Sequence, residues 1–484
     1  MNSTIKNMYY KSHRHTMLIG INLLLSILGL ASLWINIQVR WFILFFVLTL
    51  FQLLIHISAL YKIERTWITF PIFFMICSYI FNFGHLPLKA FQIEFGKNVL
   101  DPLWYIDFSV YQKAAIFVYL SQMMLFFGMY TVIYRMEGST DMSKSAFAGK
   151  DRISKWLGNV TLDEIKKIGF GCLCISILPM AYIDFSKLRL FQQGGYLNTF
   201  QLTVPDVVRS MASLFNFAIF ALIIAYSKEK KKATVVLIGA MIYKIFMMSY
   251  GGRGETVVFF LGLFIVWGNI VHKFTRKQIF FLVGIGYMGI VLLNVIASTR
   301  NHTAIDVTEG SIALTSVFFN KQLVSALSEF GSTFATTCFM IYSNPKPALG
   351  LNYILPIAFL LPNIGAFNAE IVDEVMFTKH IENFGQPIGG SYIAELYYAF
   401  RGFGWIFAFV LGILIGYIAY KLCQAKMNQQ YFLYLLFSYT IPLLLWWIRS
   451  YFGAIYRDLI WHSAIAVLLL GGFRIIRKRF PGRR

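Results

Sequence analysis

The chain is 484 residues long, 58% hydrophobic, 18% aromatic and 13% charged, with a mean hydropathy of +0.63. The charged share is about half that of a soluble domain, and the apolar residues fall into runs of about 20, the length a bilayer core demands of a helix. This excludes a soluble enzyme and predicts an all-α, polytopic membrane helix bundle, while the net charge of +21 sits in alternate connections, where it sets topology and does not mark a nucleic-acid partner.

The first apolar run begins at Met17, behind Lys6, Lys11 and Arg14. It lacks a small-residue cleavage site, so it is read as a retained span and not a signal peptide. Spans are expected near 17–35, 41–60, 66–83, 114–134, 167–183, 207–226, 233–250, 256–272, 278–298, 403–420, 431–448 and 459–473. The connections Lys62–Arg65, Arg135–Lys167, Lys228–Lys232, Lys273–Lys277 and Lys421–Lys426, with both termini, hold roughly 27 of the 43 Lys and Arg. Both ends are therefore expected in the cytoplasm, and the basic tail Arg474–Arg484 also suits anionic headgroups.

Two outer segments break the regular alternation. Gly84–Gln112 is amphipathic and carries Asp101, Trp104, Tyr105 and Asp107. The stretch 299–391 is too long to be structureless in a compact protein, so it should hold helices of its own. Its semi-apolar pieces, Ala326–Tyr342 and Leu351–Gly365, are expected as surface helices or as a re-entrant pair that would raise the spans from about 12 to 14. No repeat or soluble domain is evident, so residues 1–484 are read as one integral membrane domain. The five cysteines (Cys77, Cys172, Cys174, Cys338, Cys423) have neither disulfide nor zinc-site spacing.

An ionisable residue at membrane depth costs about 2.5–3.5 kcal/mol on insertion scales, so each one needs a reason. Several fall at the outer boundary. Arg253 lies in the hairpin Ser249–Glu255, Arg300 ends the ninth span, and Glu329 lies in 326–342. Glu395 and Arg401 precede the tenth span, while Arg449, Arg457 and Asp458 stand between the last two. Snorkelling to phosphates accounts for a share of such arginines. It accounts poorly for Arg253, because a two-span hairpin needs no Gly-Gly-Arg-Gly-Glu merely to turn. Lys244, in mid-span, is expected to snorkel or to sit in a buried pair. The outer aromatics Trp104, Tyr105, Tyr353, Tyr392, Tyr397 and Tyr398 are read mostly as an interfacial belt, although such rings also stack on sugars. His302, His380 and His462 are the outer histidines, expected to be structural.

No metal-binding Asp-x-Asp in the first outer loop, His-Glu-x-x-His, Walker loop or nucleophile elbow occurs. At Gly251-Gly252-Arg253-Gly254-Glu255, however, the chain resembles the O-antigen polymerases, the Wzy-type oligosaccharide repeat-unit polymerases of bacterial surface glycans. A second element, Gly389-Gly390-Ser391-Tyr392-Ile393-Ala394-Glu395-Leu396-Tyr397-Tyr398, is similar to the Gly-x-Ser-x-x-Ala-Glu-x-Tyr stretch that precedes a late span in that family. That family continues with an Asn-Phe-Gly-like turn, where Ala399-Phe400-Arg401-Gly402-Phe403-Gly404 stands here, so Arg401 is a departure.

The resemblance implies a GT-C-like membrane glycosyltransferase on the outer face of the bacterial cytoplasmic membrane. Its substrates would be glycans linked to undecaprenyl diphosphate, and its partner a separate chain-length regulator. Guanidiniums suit a diphosphate because their planar fork donates paired hydrogen bonds and stays charged. Arg253, Arg300 and Arg449 are therefore expected to bind the diphosphate, joined by Arg401 and Arg457. Glu395 or Glu329 would be the base, and Glu255 would orient Arg253. Arginines that neutralise the leaving group leave no need for a metal or other cofactor. A lipid-linked-oligosaccharide flippase is the alternative from another class; it should show similar halves and broken mid-membrane helices. An O-antigen ligase shares the donor and differs in the acceptor.

Overall fold

A computed structural model describes residues 2–94, 100–137, 159–248, 253–275, 277–282, 284, 286–289, 321–358, 360, 376–382 and 389–479. Among these residues the only regular structure is helical. In chain order the helices are α1 (Asn2–Ala31), α2 (Gln38–Glu64), α3 (Phe70–Phe83), α4 (His85–Ala90), α5 (Phe108–Glu137) and α6 (Leu162–Gly194). They are followed by α7 (Asp206–Ala225), α8 (Lys230–Met248), α9 (Arg253–Ile270), α10 (Lys321–Ser343) and α11 (Leu351–Ala358). The last five are α12 (Phe377–Glu382), α13 (Tyr392–Phe400), α14 (Gly404–Met427), α15 (Tyr431–Trp447) and α16 (Gly453–Arg479).

Among the described residues eight stretches are long and apolar enough to cross a membrane: His15–Trp34, Gln38–Glu64, Phe108–Arg135, Leu162–Gly194, Val207–Ala225, Arg253–Ile270, Tyr392–Met427 and Gly453–Arg479. The expected spans at 66–83 and 431–448 are shorter apolar helices, Phe70–Phe83 and Tyr431–Trp447. That expected at 233–250 is α8, with 19 residues, and most of 278–298 lies outside the described residues. The fifth expected span, 167–183, falls short of the helix found: α6 continues to Gly194, about 50 Å in all, well beyond a hydrocarbon core of about 30 Å. Thr161 sets its start, because its hydroxyl accepts the Glu164 amide at 3.2 Å while the Glu164 carboxylate takes the Thr161 amide at 2.9 Å. Gly195, at φ 74°, ends it.

Close backbone approach and buried polar bonds hold the bundle together. Helices α5 and α14 pack backbone to backbone through Gly128 and Gly412, where a side chain on either would strike the opposite chain. Buried polar side chains cross-link α1, α2, α3, α5 and α13. His56 Nε2 meets Asn22 Oδ1 at 2.8 Å, Tyr79 donates to Gln52 at 2.7 Å, and Ser78 contacts both Gln122 (2.5 Å) and Tyr392 (2.7 Å). Each group would be costly unpaired in an apolar medium, so these contacts also fix which faces meet.

Arg474 of α16 donates to Glu164 at the start of α6 at 2.9 Å, and Lys426 lies within electrostatic reach of Lys273. Helix α9 rises about 27 Å from Arg253 to Ile270. The two ends of this helix are thus separated by about one bilayer core.

The segment expected at 326–342 as a surface or re-entrant element is α10, which packs against α3, α4, α5 and α13. Its buried face carries Ser328, Thr333, Thr336 and Thr337. Phe334, Phe339 and Met340 are buried beside them, so α10 enters the bundle on small polar and apolar side chains together.

Candidate functional site

Arg253 opens α9, and the residue after it sets how closely that end docks. A Cβ on Gly254 would stand 2.8 Å from the Trp446 ring, so only glycine admits this approach to α15. The turn after α15 (residues 448–452) carries Arg449. Glu329 projects from α10 between the two. Arg253 Nη2 donates to Glu329 Oε1 at 3.3 Å, and Arg449 Nη1 lies 3.8 Å from the same oxygen. The side chains are 13%, 35% and 27% exposed for Arg253, Glu329 and Arg449. The cluster is therefore neither sealed in the core nor free in solvent.

The Gly389–Tyr398 element docks beside this cluster. Thr336, two turns along α10 from Glu329, donates its hydroxyl to the Gly389 carbonyl at 2.5 Å. A Cβ on Gly389 would touch the Arg449 side chain at 3.4 Å, and one on Gly390 would fall 2.5 Å from the Ser450 backbone. Ser391 then caps α13, its hydroxyl accepting the Ala394 amide at 3.4 Å. Arg253, the Gly389–Tyr398 element and the turn after α15 thus meet at α10.

Glu395, in the first turn of α13, is only 1% exposed. Its Oε2 accepts from Trp447 Nε1 at 2.9 Å and from the Phe452 amide at 3.0 Å, and its Oε1 accepts from Asn352 at 3.4 Å. Trp447 and Phe452 bracket Arg449, so this carboxylate ties both ends of the turn that carries the arginine. Asn352, Trp447, Thr336 and Trp446 are contributors that the sequence reading did not single out. The adjacent tryptophans before Arg449 were the one visible signal, and they read equally well as membrane-interface residues.

Below the cluster, His85 of α4 buttresses α10. Its Nε2 lies 2.8 Å from the Ser328 carbonyl, one residue before Glu329, and burial pushes its pKa down to about 4. Lys89, also of α4, pairs with Asp101.

The other expected residues fall elsewhere. Arg401 follows α13 at φ 56° and bonds the side chain and the carbonyl of Asn344 (3.1 Å to the carbonyl), just past the end of α10. That is about 20 Å along α10 from Glu329. There it occupies the C-terminal end of a helix, where a cation is favoured. Arg457 is half-buried in α16, beyond the Arg449 turn. Glu255 is exposed, and among the described residues Arg253 bonds the Glu329 carboxylate. Arg300 and His302 lie outside the described residues, as do Ser249–Gly252.

Lys244 is enclosed by rings, 5.2 Å from the centroid of Phe259 and 5.8 Å from that of Phe215, with Asp184 and Glu255 within electrostatic reach. Tyr353 and Tyr392 pack on Trp447, and Tyr392 and Tyr398 are buried. Of the expected outer aromatics, Trp104 and Tyr105 are the exposed pair. His462, expected at the outer face, is buried in α16 and bonded to Tyr439 (2.8 Å) and the Ser210 carbonyl (3.0 Å). His380 contacts the Tyr398 hydroxyl at 3.0 Å. Among the described residues no three His, Cys, Asp or Glu side chains gather as metal ligands would.

Two guanidiniums that address one carboxylate oxygen gather cationic donors from separate connections at one place, an arrangement suited to an anion that ligates through several oxygens. No curated protein and no solved structure matches the chain. The family model of the O-antigen polysaccharide polymerase Wzy matches residues 17–479. Helical architecture, membrane-length apolar helices and this near-complete match together place the chain in the O-antigen polysaccharide polymerase Wzy family.

Proposed function

We propose that this polymerase joins oligosaccharide repeat units carried on undecaprenyl diphosphate, at the outer face of the cytoplasmic membrane, and that Arg253 and Arg449 bind the diphosphate of the donor. The carrying observation is that arginines from two separate connections address the same Glu329 oxygen, at 3.3 and 3.8 Å. Their donor atoms are therefore no more than about 7 Å apart, within reach of one diphosphate. The N-terminal amides of α9 add positive potential at the same place.

In the reaction, a hydroxyl of the non-reducing sugar on the incoming unit attacks the anomeric carbon of the growing glycan. The bond from that carbon to the phosphate oxygen breaks, and its electron pair leaves on undecaprenyl diphosphate. Charge develops on that oxygen in the transition state, where fixed guanidiniums stabilise it more than they stabilise the ground state. The arginines thus perform the neutralisation for which other transferases use a divalent cation. Glu329 takes the hydroxyl proton; it is accessible and is held in place by the two arginines. Glu395 accepts N–H bonds at both oxygens, so we assign it the positioning of Arg449. Arg300 is a third diphosphate ligand in this scheme, Arg457 stands next in line from the same outer turn, and Glu255 faces Lys244. A chain-length regulator would act on the same product from outside the bundle.

The test is the banding of lipid-linked glycan in a strain whose chromosomal copy carries Arg253→Ala or Arg253→Lys. Loss of polymer with single repeats still reaching the surface is the expected result. Single repeats trapped inside would make the chain a flippase, and long lipid-linked chains that never reach their acceptor would make it a ligase. Full-length polymer in both variants would remove Arg253 from the site.

A further inference from the structure

A groove of about 680 Å³ opens between α6, α7 and α8, away from the arginine cluster. Its walls are apolar, with Leu173, Phe215 and Val236 among them, and its floor along α8 is made of Gly239 and Ala240. It runs from Lys231 and Lys232 at one end to Tyr243 at the other. Those ends are about 18 Å apart along α8, close to the depth of one leaflet of a bilayer core about 30 Å thick. A volume in this range holds a small amphiphile.

The Lys231 end differs chemically from the rest. Lys166 of α6 and Lys232 of α8 both stand over the Tyr226 ring, at 5.5 and 5.7 Å from its centroid. Lys231 lines the mouth beside them. Glu229 pairs with Lys232 at 2.5 Å, and among the described residues no ion pair holds Lys166 or Lys231. A cationic mouth on an apolar trough one leaflet deep matches a phosphate headgroup above a hydrocarbon chain. An isoprenoid chain anchored at Arg253 and Arg449 would need no cations at this end.

We propose that this groove binds an anionic phospholipid of the leaflet into which Lys228–Lys232 projects, with its phosphate at Lys166, Lys231 and Lys232 and an acyl chain along Gly239 and Ala240. The site is independent of the glycan chemistry and does not rest on the roles assigned to the arginines.

Purified full-length protein is exchanged into micelles containing phosphatidylglycerol or phosphatidylcholine with the same chains, and the retained lipid is measured by native mass spectrometry. Wild type should retain phosphatidylglycerol preferentially. Lys231→Gln and Lys166→Gln should each lower that preference by about fivefold. Gly239→Phe should displace both lipids, because nothing lies within 4 Å of a Cβ built there, so the ring enters the groove without disturbing the fold. Equal retention of the two lipids by wild type, or lysine variants that keep the preference, would overturn the proposal. So would a Gly239→Phe protein that still holds phosphatidylglycerol but loses undecaprenyl phosphate, since the groove would then belong to the isoprenoid chain.

Discussion

Glu329→Gln changes one atom and separates two roles that the geometry gives this residue. In the resting site its carboxylate is shared by Arg253 and Arg449 at 3.3 and 3.8 Å. Point charges at those separations attract by about 4–5 kcal/mol at an effective dielectric near 20. Glu329 is a third exposed, and pairs open to solvent measure about 1 kcal/mol or less. Removing the charge should therefore release the two guanidiniums by about that amount between them, and lipid-linked donor should bind about fivefold tighter. Catalysis should move the other way. Loss of a positioned base costs about 10²–10⁴ in rate. The assay is polymerisation of purified lipid-linked repeat units, with rate followed against donor concentration and chain products resolved by gel. A KM that falls while kcat drops a hundredfold or more supports both roles. A kcat within threefold of wild type would refute the base assignment, and a KM that rises would refute the competition between carboxylate and diphosphate for the arginines.

Arg253→Ala and Arg449→Ala should each cost about 10²–10³ in kcat/KM. If both act on one diphosphate, the double variant should lose clearly less than the product of the two, and full additivity in the same assay would separate them. Glu395→Ala leaves the Trp447 indole and the Phe452 amide without their acceptor, at about 1–3 kcal/mol for each stranded donor. It should lower the thermal midpoint along with activity, whereas Glu329→Gln should leave the midpoint unchanged. Arg401→Ala should keep polymer within about threefold of wild type, because Arg401 bonds Asn344 at the far end of α10; loss of polymer there would extend the site by a helix length. His85 has a folded pKa near 4 against an unfolded value near 6.5, so its neutral form stabilises the native state above pH 6.5, and that stabilisation, up to about 3 kcal/mol, is lost as pH falls from 6.5 to 4. Asp101 and Lys89 are the charged groups that act on it. His85→Asn should flatten the pH dependence of the thermal midpoint in that interval, and an unchanged slope would assign the acid lability elsewhere.

The membrane character of the chain was written in its local pattern. Apolar runs matched to a bilayer core specify helices without reference to any partner, because each helix satisfies its own backbone. Arg253 stood out for a related reason: the sequence from Gly251 to Glu255 crowds glycines and charges between two apolar runs. Glu329 was visible only as a charge in a semi-apolar stretch. That it stands between Arg253 and Arg449 depends on the entry of α10 into the bundle, through contacts with α3, α4, α5 and α13. Periodicity within one helix carries no record of such contacts.

Arg401 and Glu395 show the limit most clearly. Both flank the same sequence element and both carry charge, yet one caps the end of α10 and the other is buried behind the Arg449 turn. Their separation follows from the direction of α13, which Gly390 fixes by closing onto Ser450. The sequence by itself determined the apolar helices and marked the charged residues that interrupt them. Only the tertiary structure decided which of those charges share a site, because helices that are each stable alone are placed by packing and buried polar bonds between segments hundreds of residues apart.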